Sequence, residues 1–349
     1  MLINLHAHQL TAGMFEQHEH WGPYWEGGSL RIGDWHLGSK VPQGGDAGSE
    51  ARHDLDRWLA ERWAPEPRLA AMDAAGIDIM VMSLPAHMSM YWAEPDFGIR
   101  YARTVNEELA EFRSANPERL HFWASLPVQA PDAAAKELDY AVTELGAQGA
   151  YMGGANFGGL QFDSPELDPL WDKVCELGVP IFVHGYNQSV TWGKKANDDP
   201  YDTTSIVGML YDETTCFWNL ICGGVLDRFP DMQVYITHAG GYVPYHLGRF
   251  AETNETMASD SKNQKPVMEY VRNNFWFDPL THSAAMRRAI TEVIGVDRLL
   301  YGDNFGGADR IDFDLTGDIG LSDADREKIR SGNAKELLNL GPGHTSGLL

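Results

Sequence analysis

The sequence predicts an α/β fold, a distorted (β/α)8 barrel of the TIM type built as a single domain over residues 1–349, with a long insertion after the first strand and a second after the fifth. Three observations predict it. Eight short runs rich in β-branched and aromatic residues recur along the chain, amphipathic helical stretches separate most of them, and no Gly-x-Gly-x-x-Gly follows the first run. The third ranks an open doubly wound sheet below the barrel, because such sheets cradle dinucleotide phosphates on that loop.

The strand runs are Leu2–His8, Ile77–Ser83, Leu120–Leu126, Gly149–Met152, Val179–His184, Gln233–His238, Asn274–Asp278 and Arg298–Gly302. Helical periodicity marks Arg100–Ala115, Ala133–Leu145, Leu167–Leu177 and Ala284–Val293, with turn residues such as Gly76, Gly178 and Pro230 at the joins. Residues from about 10 to 64 leave the end of the first strand, and residues from about 185 to 205 leave the end of the fifth. Strand C-terminal ends form the chemical face of a barrel, so these loops read as a lid or pocket wall lined by Trp21, Trp25, Trp35 and Trp192. The competing reading is a small hairpin whose tryptophans form its own core.

Composition excludes several classes. With 43% apolar residues and no long apolar run, the chain reads as a soluble protein with a large core and no membrane span. No basic segment followed by an apolar one opens the sequence, so a cytoplasmic location is expected. Cys175, Cys216 and Cys222 lack metal or redox spacing and read as reduced core residues. A formal net charge of −23 argues against nucleic acid, and it requires a local positive centre for any anionic substrate.

That centre is legible in the histidines. His6 and His8 stand at i and i+2 on the first run, which places both imidazoles on one side of a strand. His184 closes the fifth run, His238 the sixth, and Asp303 follows the eighth. Four strands thus deliver His or Asp to one rim, a convergence that a lone buried histidine does not explain. The fourth run carries no lysine or carboxylate to bridge two ions, so a single ion is expected, held by His6, His8, His184 and Asp303 with one position open. Nitrogen-rich donors favour zinc; manganese, iron and cobalt remain open. A structural metal site in a binding protein is the non-catalytic reading, but such sites usually include cysteine, and none of the three cysteines ends a strand.

The order of these residues resembles the amidohydrolase superfamily, in the branch of aminocarboxymuconate-semialdehyde decarboxylase. The resemblance runs nearly end to end, through Ala71-Met-Asp73 with Gly76-Ile-Asp78, Leu126-Pro-Val-Gln129, Gly223-Gly-Val-Leu-Asp-Arg-Phe-Pro230, the segment from His238 to Arg249, and Gly332-Asn-Ala334. It implies that His6, His8 and His184 are metal ligands, that His238 holds the metal-bound water and transfers protons, and that Arg249 binds a substrate carboxylate in the neighbouring subunit of a homodimer or larger homo-oligomer.

One departure stands out. The branch carries Gly-Ser/Thr-Asp after the last strand, whereas Gly302-Asp303-Asn304 puts Asn304 on the ligand position in a gapless match. Asp303 is still preferred as ligand and proton acceptor because a carboxylate does both better; either it has shifted into the ligand place or the ion is held mostly by histidines with Asn304 nearby, facing the substrate. Arg52, Arg57 and Arg68 lie where a second carboxylate-binding arginine belongs, without a secure match. Asp278 and His282 follow the seventh run as supporting or substrate-facing residues, and Trp192 joins them in the pocket. Glu213 reads as helix packing, and His18 and His20 as loop residues. The expected activity is metal-dependent, non-oxidative decarboxylation of an aromatic or muconate-type carboxylic acid; hydrolysis or hydration on the same site is the alternative.

Overall fold

The computed structural model describes residues 1–15, 24–26, 29–32, 35–37, 60, 63–185, 203–307 and 310–339. In chain order the strands are β1 (Ile3–His8), β2 (Tyr24–Glu26), β3 (Ser29–Ile32), β4 (Trp35–Leu37), β5 (Ile79–Ser83), β6 (Leu120–Phe122), β7 (Ala124–Ser125), β8 (Ala150–Gly153), β9 (Ile181–His184), β10 (Val234–Ile236) and β11 (Phe275–Phe277). Two parallel sheets, β1-β5-β6 and β7-β8-β9-β10-β11, make the body of the molecule. Only Trp123 separates β6 from β7; its N–H donates to Met82 O at 2.8 Å, and the next N–H, of Ala124, donates to Gly149 O at 2.8 Å. One strand therefore passes from the first sheet to the second.

The expected eighth strand does its pairing without regular ladders. Leu300 N–H donates to Phe277 O at 2.8 Å on one side, while Leu5 N–H donates to Tyr301 O at 3.0 Å and His8 N–H to Phe305 O at 2.7 Å on the other. Residues 299–305 thus hydrogen-bond to both β11 and β1, which joins the two sheets into a ring of eight segments. Glycine and a left-handed Asn304, with φ of +56°, break this segment's extended run.

The helices alternate with the strands: α1 (Pro65–Ala75), α2 (Pro95–Ser114), α3 (Pro131–Thr143), α4 (Asp168–Leu177), α5 (Met209–Cys222), α6 (Val225–Arg228), α7 (Val243–Met257), α8 (Val267–Asn273) and α9 (Ala284–Ile294). Proline near the first turn of α2 and α3 starts each helix before its apolar stripe begins, so both open earlier than periodicity alone indicates. Beneath the rim the ring is filled by aromatic side chains. Trp123 is fully buried, donates Nε1–H to Leu5 O at 3.0 Å and stacks on Phe182 with centroids 5.3 Å apart. Truncating such a side chain costs about 3–5 kcal/mol, so this layer is a firm floor for whatever lies above it.

Within the first excursion, β2, β3 and β4 form an antiparallel sheet of their own, with Trp25 on its first strand and Trp35 on its third. The side chains of those two tryptophans lie outside the described residues, as do Trp21, His18, His20, Arg52, Arg57 and Trp192.

Candidate metal centre

His6 and His8 reach the centre from a strand that is not regular. Pairing with β5 runs Ile3 with Ile79, Asn4 with Met80, then Ala7 with Met82, so β1 holds one extra residue across His6. The two imidazoles nevertheless meet, with ring centroids 5.5 Å apart. His184, at the end of β9, lies 5.0 Å from His6 and 4.9 Å from His8 between ring centroids. His238 stands 4.9 Å from both His6 and His184.

His238 is carried by a tight turn. The chain after β10 takes left-handed φ values at His238 (+46°), Ala239 (+58°), Gly240 (+73°) and Gly241 (+66°). A non-glycine residue held there is strained, and such strain gathers at functional positions. Gly241 is required by crowding: a Cβ would come within 2.1 Å of Leu210 O. The His-Ala-Gly-Gly motif is therefore a backbone device for turning an imidazole over the rim.

Each ring is held from behind. His6 Nδ1 lies 3.1 Å from Asp278 Oδ2, His238 Nδ1 2.7 Å from Glu213 Oε1, His184 Nδ1 2.9 Å from Gly185 O, and His8 Nδ1 3.2 Å from Ser83 Oγ. A carboxylate or carbonyl opposite Nδ1 fixes the proton there and turns the Nε2 lone pair forward. Burial, and then the neighbouring imidazoles, hold His8 and His184 well below the usual imidazole value of 6.5, so both are neutral donors at pH 7.

The carboxylates are themselves fully engaged. Asp278 accepts from Tyr235 Oη at 2.7 Å and from the N–H groups of Ala239 and Leu280 at 3.2 Å, and burial pushes it up to about 6. Glu213 Oε1 also accepts from Gly185 N–H at 2.9 Å and Thr237 Oγ1 at 2.7 Å. Glu213, read from sequence as helix packing, instead ties α5 to the ends of β9 and β10; nothing local in Asp212-Glu-Thr signals a partner 25 residues away. Tyr235 was equally silent in the sequence.

The arrangement fits a divalent ion. One nitrogen each from His6, His184 and His238 lie within 4.8 Å of one another, and His184 Nε2 is buried with no hydrogen-bond partner. Three converging imidazoles with the fourth adjacent are a donor set for a transition ion with open positions.

The other expected residues fall elsewhere. Asp303 is buried, accepts from Asn4 Nδ2 at 2.6 Å and is pushed up to about 6 by burial; like His8, it is not in the three-histidine group, whose third member is His238. Asn304 is buried beside it. Arg68 is buried too, but its guanidinium donates to His8 O at 2.7 Å and Gln9 Oε1 at 3.0 Å, so it clamps the end of β1. Arg249 is exposed on α7 and has no ion pair among the described residues, and His282 is exposed on the turn before α9.

Residues 3–340 match the family model described as amidohydrolase, and the chain belongs to that family. It is 30% identical over 289 residues to gamma-resorcylate decarboxylase of Rhizobium sp. strain MTP-10005, covering 79% of this chain and 87% of that one. It is 28% identical over 287 residues to 2-amino-3-carboxymuconate-6-semialdehyde decarboxylase of Dictyostelium discoideum, covering 80% and 78%. In fold it matches dihydroxybenzoic acid decarboxylase from Polaromonas sp. JS666, a structure with bound manganese and the inhibitor 2-nitroresorcinol, with a TM-score of 0.78 over 99% and 98% of the two chains at 23% identity. The relatives lie in the decarboxylase branch expected from the histidine order, and the fold is the expected barrel.

Proposed function

We propose that this protein is a metal-dependent carboxy-lyase that removes CO2, without oxidation, from an aromatic or muconate-type carboxylic acid. The observation that carries the reading is the four-imidazole cluster at the rim, each ring held through Nδ1. His6, His8 and His184 would hold one divalent ion, zinc by donor type. When bound, the ion supplies Lewis-acid stabilisation of negative charge on a substrate oxygen.

The chain's own groups handle the proton. His238, with Nδ1–H given to Glu213, presents Nε2 as a base for a phenolic or carboxylic proton. The resulting imidazolium is stabilised by the Glu213 carboxylate, and returns its proton to the ring carbon as the C–C bond breaks and CO2 leaves with the bond electrons retained by carbon. Asp278 keeps His6 in register. Arg249, exposed and without an ion pair among the described residues, suits the substrate carboxylate of a neighbouring subunit in a cytoplasmic homodimer or larger homo-oligomer, because a planar guanidinium binds a carboxylate through two parallel hydrogen bonds. Asn304, His282 and Trp192 are the remaining substrate-facing candidates.

The test is to load purified protein with zinc or manganese and follow CO2 from hydroxybenzoates and muconate-type acids. Metal-dependent CO2 release that disappears in His238→Ala is expected. Turnover with no CO2 would move the assignment to hydrolysis or hydration.

A further inference from the structure

The last strand is where this chain departs from the expected pattern, and its geometry bears on what holds the ion. Gly302 faces the imidazoles: a Cβ there would come within 2.6 Å of His6 Cβ, 2.4 Å of Tyr235 Oη and 2.9 Å of Asp278 Oδ2. The next residue, Asp303, is engaged elsewhere. Asn4 Nδ2 donates to Asp303 Oδ1 at 2.6 Å, and the charges that face the carboxylate are those of Arg68 and Arg310. Asn4 pairs with Met80, which belongs to the cluster of Met72, Met82, Tyr301 and Leu315 beneath α1, apart from the aromatic layer under the rim. The residue after Asp303 is an amide, not an acid. Among the described residues, the carboxylates of Asp278 and Glu213 sit behind His6 and His238 on Nδ1.

We infer that the ion is held by imidazole nitrogens alone, with Asp303 outside the ligand set as a brace between the last strand and β1, and that the centre therefore selects zinc or cobalt over manganese. The inference rests on the metal-dependent reading above and refines it. Imidazole donors suit borderline ions, whereas manganese and magnesium are held chiefly by carboxylate and other oxygen donors. With every ligand neutral, the ion keeps its full 2+ charge. That is the local positive centre an anionic substrate needs on a chain of net charge −23.

The experiment is equilibrium dialysis of chelator-stripped protein against equimolar zinc and manganese, read by elemental analysis, for the wild type, Asp303→Asn and Asn304→Asp, with circular dichroism to check folding. Wild type is expected to retain zinc with manganese at least ~10-fold lower, and Asp303→Asn to keep the same zinc stoichiometry, since an uncharged amide still pairs with Asn4. Asn304→Asp is expected to raise the manganese share; this variant carries the test should Asp303→Asn fail to fold. Manganese bound as well as zinc in the wild type, or zinc lost from folded Asp303→Asn by about 100-fold in affinity, would overturn the all-imidazole centre while leaving metal-dependent decarboxylation standing. Failure to bind either ion would remove the metal reading itself.

Discussion

At the residue scale the centre is two concentric sets, four imidazoles and the groups that hold their Nδ1 atoms. Removing an outer partner of a metal-binding histidine typically costs about 10–100-fold in affinity or activity. Asp278→Asn is expected to weaken metal binding by that factor through His6, measured by competition with a chromogenic chelator. Glu213→Gln acts on His238 instead, so metal content should stay near that of the wild type while kcat for CO2 release falls about 10–100-fold. Equal loss of metal in both variants would show His238 to be a ligand. The histidines were legible because strand ends announce themselves in sequence: Val-Pro-Ile-Phe-Val-His184 and Val-Tyr-Ile-Thr-His238 each end on the residue that matters. Glu213 and Tyr235 were not, because their partners lie 24 to 43 residues away across the barrel.

Among the elements, the strands show how burial on both faces sets both pattern and pH response. β6 carries His121, fully buried, which burial holds down to about 4. Below pH 6.5 the unfolded chain takes up a proton there that the folded chain refuses, so stability falls as pH drops from 6.5 to 4, by about 3 kcal/mol for this one residue. Urea titrations should show that decline, and His121→Phe should reduce it by its own share, the rest coming from His8, His87 and His184, which burial also holds down; an unchanged slope would mean that the ring is charged in the fold. The joint between β10 and α7 is the other sensitive element. Gly241→Ala combines a left-handed φ with a clash against Leu210 O and is expected to cost more than about 2 kcal/mol, seen as a lowered Tm. Strands and helices followed from periodicity, with ends shifted by prolines at helix starts. The bulge in β1 did not, because its extra residue is specified by the register of β5, not by local composition.

For the whole molecule, the proposed role of Arg249 makes an association state part of the site. Sedimentation should give a dimer or larger homo-oligomer, and Arg249→Ala should raise KM for the carboxylate substrate by tenfold or more, about 1.4 kcal/mol, without changing metal content. A monomer with full activity would end that role. No helix among the described residues is long and apolar enough to cross a membrane.

The ring of eight segments closes between residues near both ends of the chain, where Leu5 N–H meets Tyr301 O. This gives the protein a timetable. His6 leaves the ribosome ahead of the Asp278 that fixes its proton, which follows 272 residues later, roughly 14–54 s at translation rates of 5–20 residues per second. Until then its imidazole has no set tautomer, and the floor beneath it is missing one wall. On the metal-dependent reading, the centre is expected to hold its ion tightly only once Asp278 has joined the fold.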